Sequence, residues 1–134
     1  MSAQDVETLR RLYEEWANGD YSRADAFSPE IELSIEDDFP DVMIEPGLAG
    51  LRAAMRMWFS AWEKPFTIVA HEFVDLGEQV VVPVTWSAVN KVSGTQVERP
   101  GAHLWRFRDG KAVSLKLCRD RAEAIVAASV TTAD

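Results

Sequence analysis

At 134 residues the chain is long enough to bury one sizeable hydrophobic core and too short for two, so a single domain over residues 1–134 is expected. Its hydrophobic share of 47% and charged share of 27% are those of a globular chain and exclude an intrinsically disordered one. With 14 basic against 22 acidic residues the net charge is -8, which repels phosphate backbones and anionic membranes and argues against both nucleic acid and membrane as partners.

The first expected element is a helix over about Ala3–Ala17. Val6, Leu9, Tyr13 and Trp16 recur on one stripe while Glu7, Arg10, Arg11, Glu14 and Glu15 cover the other faces. Asn18-Gly19 supplies its stop. A short second helix is expected over Tyr21–Phe27, capped by Asp20 and ended by Ser28-Pro29. Ile31, Leu33 and Ile35 then alternate with Glu32, Ser34 and Glu36, the pattern of a half-buried strand.

Residues 36–47 read as an acidic loop with two prolines. The carboxylates of Glu30, Glu32, Glu36, Asp37, Asp38, Asp41 and Glu45 do not have the spacing of a calcium loop, so a solvated rim is expected there and no metal. Leu51, Ala54, Met55, Trp58, Phe59 and Trp62 form the next helical stripe, closed by Lys64-Pro65. Three long strands follow, Phe66–Leu76, Val80–Asn90 and Gln96–Arg108, joined by turns at Gly77-Glu78-Gln79 and at Lys91–Thr95. A fourth, Ala112–Arg119, is reached through Asp109-Gly110. Asp120 then caps a last helix running through Ala127, with Glu123 at the reciprocal capping position. Helices beside a curved antiparallel meander make an α+β domain.

The last hairpin carries the most chemistry. Val97, Arg99, Gly101, His103, Trp105 and Phe107 share one face of its first strand, and Val113, Leu115, Leu117 and Arg119 share one face of its second. A concave, mostly apolar face holding His103, Arg99 and Arg119 has the composition of a small-molecule pocket. His103 is a candidate for proton transfer near neutral pH. Arg119 is placed to hold an anionic group of a ligand or to pair with an acidic neighbour. His71 alternates with Val69 and Phe73 and is read as structural. The 5 tryptophans supply flat apolar area for ring-shaped ligands. Trp16, Trp58 and Trp62 lie on helical stripes, whereas Trp86 and Trp105 lie on neighbouring strands, where one can line a cavity and the other pack beneath it. No glycine-rich phosphate loop is present and no cofactor is expected. The lone Cys118 cannot form an internal disulfide, the segment MSAQDVETLRR lacks an apolar signal core, and no run approaches membrane-spanning length, so a cytoplasmic location is the default expectation.

Three strings, LYEEWANGD at 12–20, GLAGLRAAMRMWFSAWE at 47–63 and HLWRFRDGKAVSLKLCRDRAEA at 103–124, resemble the nuclear transport factor 2-like superfamily in its SnoaL-like and ketosteroid-isomerase-like branch. The resemblance implies a cone-shaped barrel in which a curved, mostly antiparallel sheet wraps around the N-terminal helices, the cystatin-like arrangement. It further implies an open apolar cavity and a homodimer, for which Val81, Val89, Ala102, Leu104 and Cys118 supply outward-facing residues. Carried over position by position, it places His103 where ketosteroid isomerases have a protonated acid and Tyr13 near their tyrosine. Ile35 falls at the isomerase base, and Leu117 at the aspartate base of polyketide cyclases, so both bases are missing. The Asp-Arg-Asp set of epoxide hydrolases finds Arg99 and Arg119 without inward aspartates. The resulting expectation is a cavity for a small hydrophobic, ring-containing molecule, with Tyr13 and His103 as the polar centre. Trp16, Trp58, Trp86, Trp105, Ile35, Leu117, Arg99 and Arg119 are expected around it. The alternative is an isomerase, cyclase or dehydratase acting on a polycyclic or aromatic carbonyl compound.

Overall fold

Helix α1 spans Ser2–Trp16 and buries the stripe that holds Leu9, Leu12, Tyr13 and Trp16. It ends where Gly19 takes a left-handed φ of 79°, while the Gly19 and Asp20 amides bond the carbonyls of Trp16 and Glu15. The computed structural model describes residues 2–35 and 46–132, with strand β1 at Phe27–Ile35, helix α2 at Gly47–Ser60 and strand β2 at Trp62–Ala70. The two-residue strand β3 (Val74–Asp75) precedes the long strands β4 (Gln79–Asn90), β5 (Gln96–Arg108) and β6 (Lys111–Cys118), and helix α3 follows at Arg121–Thr132. The sheet order is β1-β6-β5-β4-β2, with β3 also on β4; all neighbours are antiparallel except β1 and β6. The fold is α+β, as expected; among the described residues three helices, one fewer than expected, lie against a curled mixed sheet. Among the described residues no helix is long and apolar enough to cross a membrane.

Strand β1 begins at Phe27, ahead of the expected Ile31, helix α3 runs past the expected Ala127 to Thr132, and three larger differences stand out. Tyr21–Phe27 is not a helix: Asp20 Oδ1 accepts from the amide and hydroxyl of Ser22 at 3.0 and 2.6 Å, a local turn that competes with helix nucleation. The Tyr21 hydroxyl instead donates to the Phe66 carbonyl, fastening this connection to β2. Trp62 does not continue α2 but opens β2, pairing with Asn90 and packing on Trp86 at 5.4 Å. The expected Phe66–Leu76 strand breaks at His71–Phe73. Ala70 pairs with Val84 but Val74 with Val81, so β2–β3 spends one more residue than β4 over that interval. The extra residue changes the alternation, and Ile68, Ala70 and Phe73 all pack against the main core. The acidic loop expected at 36–47 falls largely outside the described residues.

The hairpin follows the sequence closely. Asp109 and Gly110 both have positive φ, 53° and 77°, as a tight two-residue reversal requires. Further along β6, Arg106 pairs with Ser114 but Phe107 with Ala112. This bulge turns Ala112 rather than Val113 into the core, correcting the inward assignment of Val113.

Two apolar layers result. The inner one holds Leu9, Tyr13, Trp16, Val80, Val82, Val84, Trp105 and Leu115 between the helices and the hollow of the sheet. The second lies on the back, where α3 packs Ala124 and Ala128 against Val81, Ala102, Leu104 and Cys118. Those four sheet residues, expected on an open outer face, are therefore buried by the chain's own last helix. That helix starts as expected, with Asp120 Oδ1 accepting the Glu123 amide at 2.9 Å. The Glu123 carboxylate reaches back to the Arg119 amide at 3.0 Å, and this bond, together with the Arg119 side chain, lowers its pKa. Asp120→Ala is expected to cost about 1 kcal/mol of stability by loss of the cap. A urea midpoint indistinguishable from wild type would show that the cap contributes nothing.

Candidate functional site

The hollow of the sheet is not filled. Between it, β1 and α2 lies a cavity of about 540 Å³, within the range of small-molecule sites. Leu51, Ala54, Met55, Trp58 and Phe59 of α2 form one wall, and Trp16 contributes from α1. The opposing wall is built by strand alternation: Leu33 and Ile35 on β1, Val84 and Trp86 on β4, Gly101 and His103 on β5, Leu115 and Leu117 on β6. Phe66 stacks on Trp86 with centroids 5.4 Å apart and planes 10° from parallel, and Trp58 meets Trp86 edge-on at 6.3 Å. Trp58 is 41% exposed, so the aromatic wall reaches from the interior to the surface.

Of the buried polar side chains, His103 alone is part of the lining among the described residues, 9% exposed. Its Nδ1 lies 2.5 Å from the Tyr13 hydroxyl, which also accepts the Trp105 indole N–H at 2.8 Å. Three residues from two elements thus form one buried hydrogen-bonded chain. Burial disfavours charge on each titratable member. It lowers the His103 pKa to about 4 and raises that of Tyr13 well above its ordinary value, the Trp105 hydrogen bond partly opposing the latter. At neutral pH both side chains are uncharged. The sequence-based expectation of an imidazole titrating near pH 7 is corrected by this desolvation.

The remaining candidates separate into wall, backing and rim. Trp16, Trp58, Trp86, Ile35 and Leu117 all line the cavity. Trp105 does not. It is fully buried behind the wall, stacked on Phe27 at 6.0 Å and edge-on to His103 at 6.4 Å, and its indole N–H is bonded to Tyr13. Tyr13 also stands behind the wall, reaching the cavity through His103. Arg99 and Arg119 border the cavity from the ends of β5 and β6. Arg99 is exposed and donates to the Glu98 carbonyl at 3.2 Å. The Arg119 side chain, 67% exposed, is bridged to Glu123 of α3 at 2.9 Å rather than held inside. His71 lies on the back of the sheet, its Nε2 2.6 Å from the Thr85 hydroxyl, so no second histidine joins His103.

The sheet aligns the two positions at which the resemblance expected a carboxylate base. Ile35 pairs with Leu117, and Leu117 pairs with His103, placing the three in one row across β1, β6 and β5. Two branched alkyl groups beside the imidazole make this a dry row, unable to accept a proton next to His103. Glu36 and Asp37 lie outside the described residues. Among the described residues no group of three or more His, Cys, Asp or Glu is arranged to hold a metal ion.

Sequence reading missed parts of the wall for identifiable reasons. Val84 stands two residues before Trp86, and strict alternation would have found it, whereas Leu115 was placed on the right face but not named in the lining. Phe66 was hidden by the irregular pairing between Glu63 and Thr67.

The model of the SnoaL-like domain matches residues 9–115. No curated protein matches the sequence. Solved structures of similar fold include a protein designated a SnoaL-like polyketide cyclase from Jannaschia sp. CCS1, with TM-score 0.75 and 18% identity over 96% of this chain and 91% of that one. A nuclear transport factor 2-like protein of unknown function from Burkholderia pseudomallei K96243 has TM-score 0.74 and 24% identity, covering 92% and 95% of the two chains. TerC, co-crystallised with polyporic acid, has TM-score 0.71 and 20% identity over 95% and 96%. At these identities the likeness establishes the fold.

Proposed function

The chain belongs to the SnoaL-like domain family, and on that premise we propose that its cavity takes up a small hydrophobic molecule built on one or more rings. The observation that carries this reading is the cavity of about 540 Å³, walled by indole and phenyl rings with the buried His103 among them. Flat aromatic walls offer large contact area at low conformational cost, and ring systems match them. The co-crystallisation of TerC with polyporic acid supports the reading by analogy of fold.

A second reading, an isomerase, cyclase or dehydratase acting on a carbonyl compound, rests on the 2.5 Å contact between Tyr13 and His103. The alkyl side chains of Ile35 and Leu117 beside that contact weigh against it, because proton abstraction requires a basic group within hydrogen-bond reach. Uptake without turnover is the reading the dry row favours.

Trp58 and Trp86 make uptake observable. Titration with a library of aromatic ketones and hydrocarbons is expected to change tryptophan emission with micromolar midpoints. Ala54→Phe, which fills part of the cavity from α2, is expected to weaken binding at least tenfold. A flat response across the whole library, or undiminished affinity in that variant, would remove the cavity from consideration.

A further inference from the structure

The hydrogen-bonded chain behind the cavity fixes where the imidazole proton sits, and that decides what kind of ligand group the site prefers. An indole N–H can only donate. The Trp105 Nε1–H therefore gives its hydrogen to Tyr13 Oη at 2.8 Å, and the hydroxyl's own hydrogen is left for the other close neighbour, His103 Nδ1, at 2.5 Å. Were Nδ1 protonated instead, Tyr13 Oη would receive two hydrogens while its own had no acceptor. Tyr13 is 3% exposed, and a buried donor left without an acceptor is unfavourable. Nδ1 is thus the acceptor, and a neutral imidazole carries its single hydrogen on the other nitrogen, Nε2.

Nε2 has no hydrogen-bond partner among the described residues. Within the same set, Gln79 Oε1 alone is a fully occluded side-chain nitrogen or oxygen without a partner. Nε2 consequently has open space beside it, and the space that His103 lines is the cavity. Its neighbours there, Leu117 across the pair and Ile35 beyond, offer no acceptor.

Resting on the ring-compound reading above, we propose that His103 meets the ligand as a hydrogen-bond donor through Nε2–H, so that the site selects ring compounds with a carbonyl or similar acceptor oxygen over matching hydrocarbons. Trp105, which never touches the ligand, acts as a positioning residue that locks the tautomer through Tyr13.

The tautomer is measurable without any ligand. The chain has 2 histidines, and a His71→Gln variant assigns their signals. Long-range proton–nitrogen correlation spectra at pH 7 on protein with nitrogen-15-labelled histidine are expected to show His103 with a protonated Nε2 and a bare Nδ1. A protonated Nδ1, an even mixture, or a doubly protonated ring would overturn the proposal. The ligand preference is tested with 9-fluorenone and fluorene, a pair differing in one carbonyl, by equilibrium dialysis. At least tenfold tighter binding of the ketone is expected. Equal binding of the two overturns the donor role and leaves the cavity reading intact, whereas binding of neither overturns both. In Trp105→Phe nothing directs the Tyr13 hydrogen away from the side where the indole stood, so a mixed tautomer and a weakened ketone preference are expected. Retention of the single tautomer and the full ketone preference in a folded variant would refute the positioning role, and the wild-type spectra decide the proposal if that variant does not fold.

Discussion

Trp105→Ala is expected to lower the free energy of unfolding by about 3–5 kcal/mol, the range for removing a large buried aromatic side chain. Trp105 is fully buried and is held on several sides: Phe27 stacks on it at 6.0 Å, Trp16 lies at 6.0 Å and Tyr13 meets it edge-on at 6.3 Å. These neighbours come from α1 and β1 while Trp105 itself belongs to β5, so the void opens where helix meets sheet and cannot close by one side chain turning. The substitution also removes a donor to the buried Tyr13 hydroxyl. Urea titration should show a lower midpoint at unchanged slope. A loss below about 1 kcal/mol would mean that the core collapses around the gap and that the indole is dispensable.

The second large effect is a loss of stability in mild acid, traceable to His103. Burial depresses its folded pKa from 6.5 to about 4. Below pH 6.5 the unfolded chain takes up a proton that the folded chain refuses, and protons bound preferentially by the unfolded state make stability fall as pH falls. The contribution is fully present above 6.5 and is lost progressively toward 4. Between pH 6.5 and 4.5 it amounts to roughly 2–3 kcal/mol, at about 1.4 kcal/mol per unit. The carboxylates of Glu15, Asp20 and Glu123, whose pKa values are lowered by Arg23, Ser22 and Arg119 respectively, lose their contribution only as pH falls through their folded values, at the acid end of this window and beyond. Urea midpoints of wild type should therefore decline across the window relative to those of His103→Gln. Parallel curves would show that the imidazole is protonated in the native state at a nearly ordinary pKa.

Much of the fold was legible because its strongest signals are local. The stripe of Leu9, Tyr13 and Trp16 gave α1, Asp109-Gly110 gave the hairpin, and the spacing of Asp120 and Glu123 gave the start of α3. Errors arose where two physical rules competed. Trp62 continues the helical stripe of Trp58, yet its edge-on contact with Trp86 and pairing with Asn90 draw it into the sheet. Asp20 has the right residue type for a helix cap, but its side chain closes a turn on Ser22 instead. The candidate site was legible in its membership more than in its layering. Alternation put His103 and Trp105 on the same face of β5 without showing that one meets the cavity and the other supports it from below. That distinction depends on the depth of packing under α1, a long-range property no spacing encodes. The shifted pKa of His103 was invisible for the same reason, since it follows from burial and not from sequence neighbours.

Helix α3 gives the two sides of the sheet separate fates. Its alanines, Ala124 and Ala128, sit close on the backs of β4, β5 and β6, and that contact shares no residue with the main core around Tyr13 and Trp105. Drift in the helix sequence can thus soften or stiffen the sheet from behind while the main core keeps its own inventory of side chains. The strands themselves stand between a change in that helix and the aromatic core on the other side.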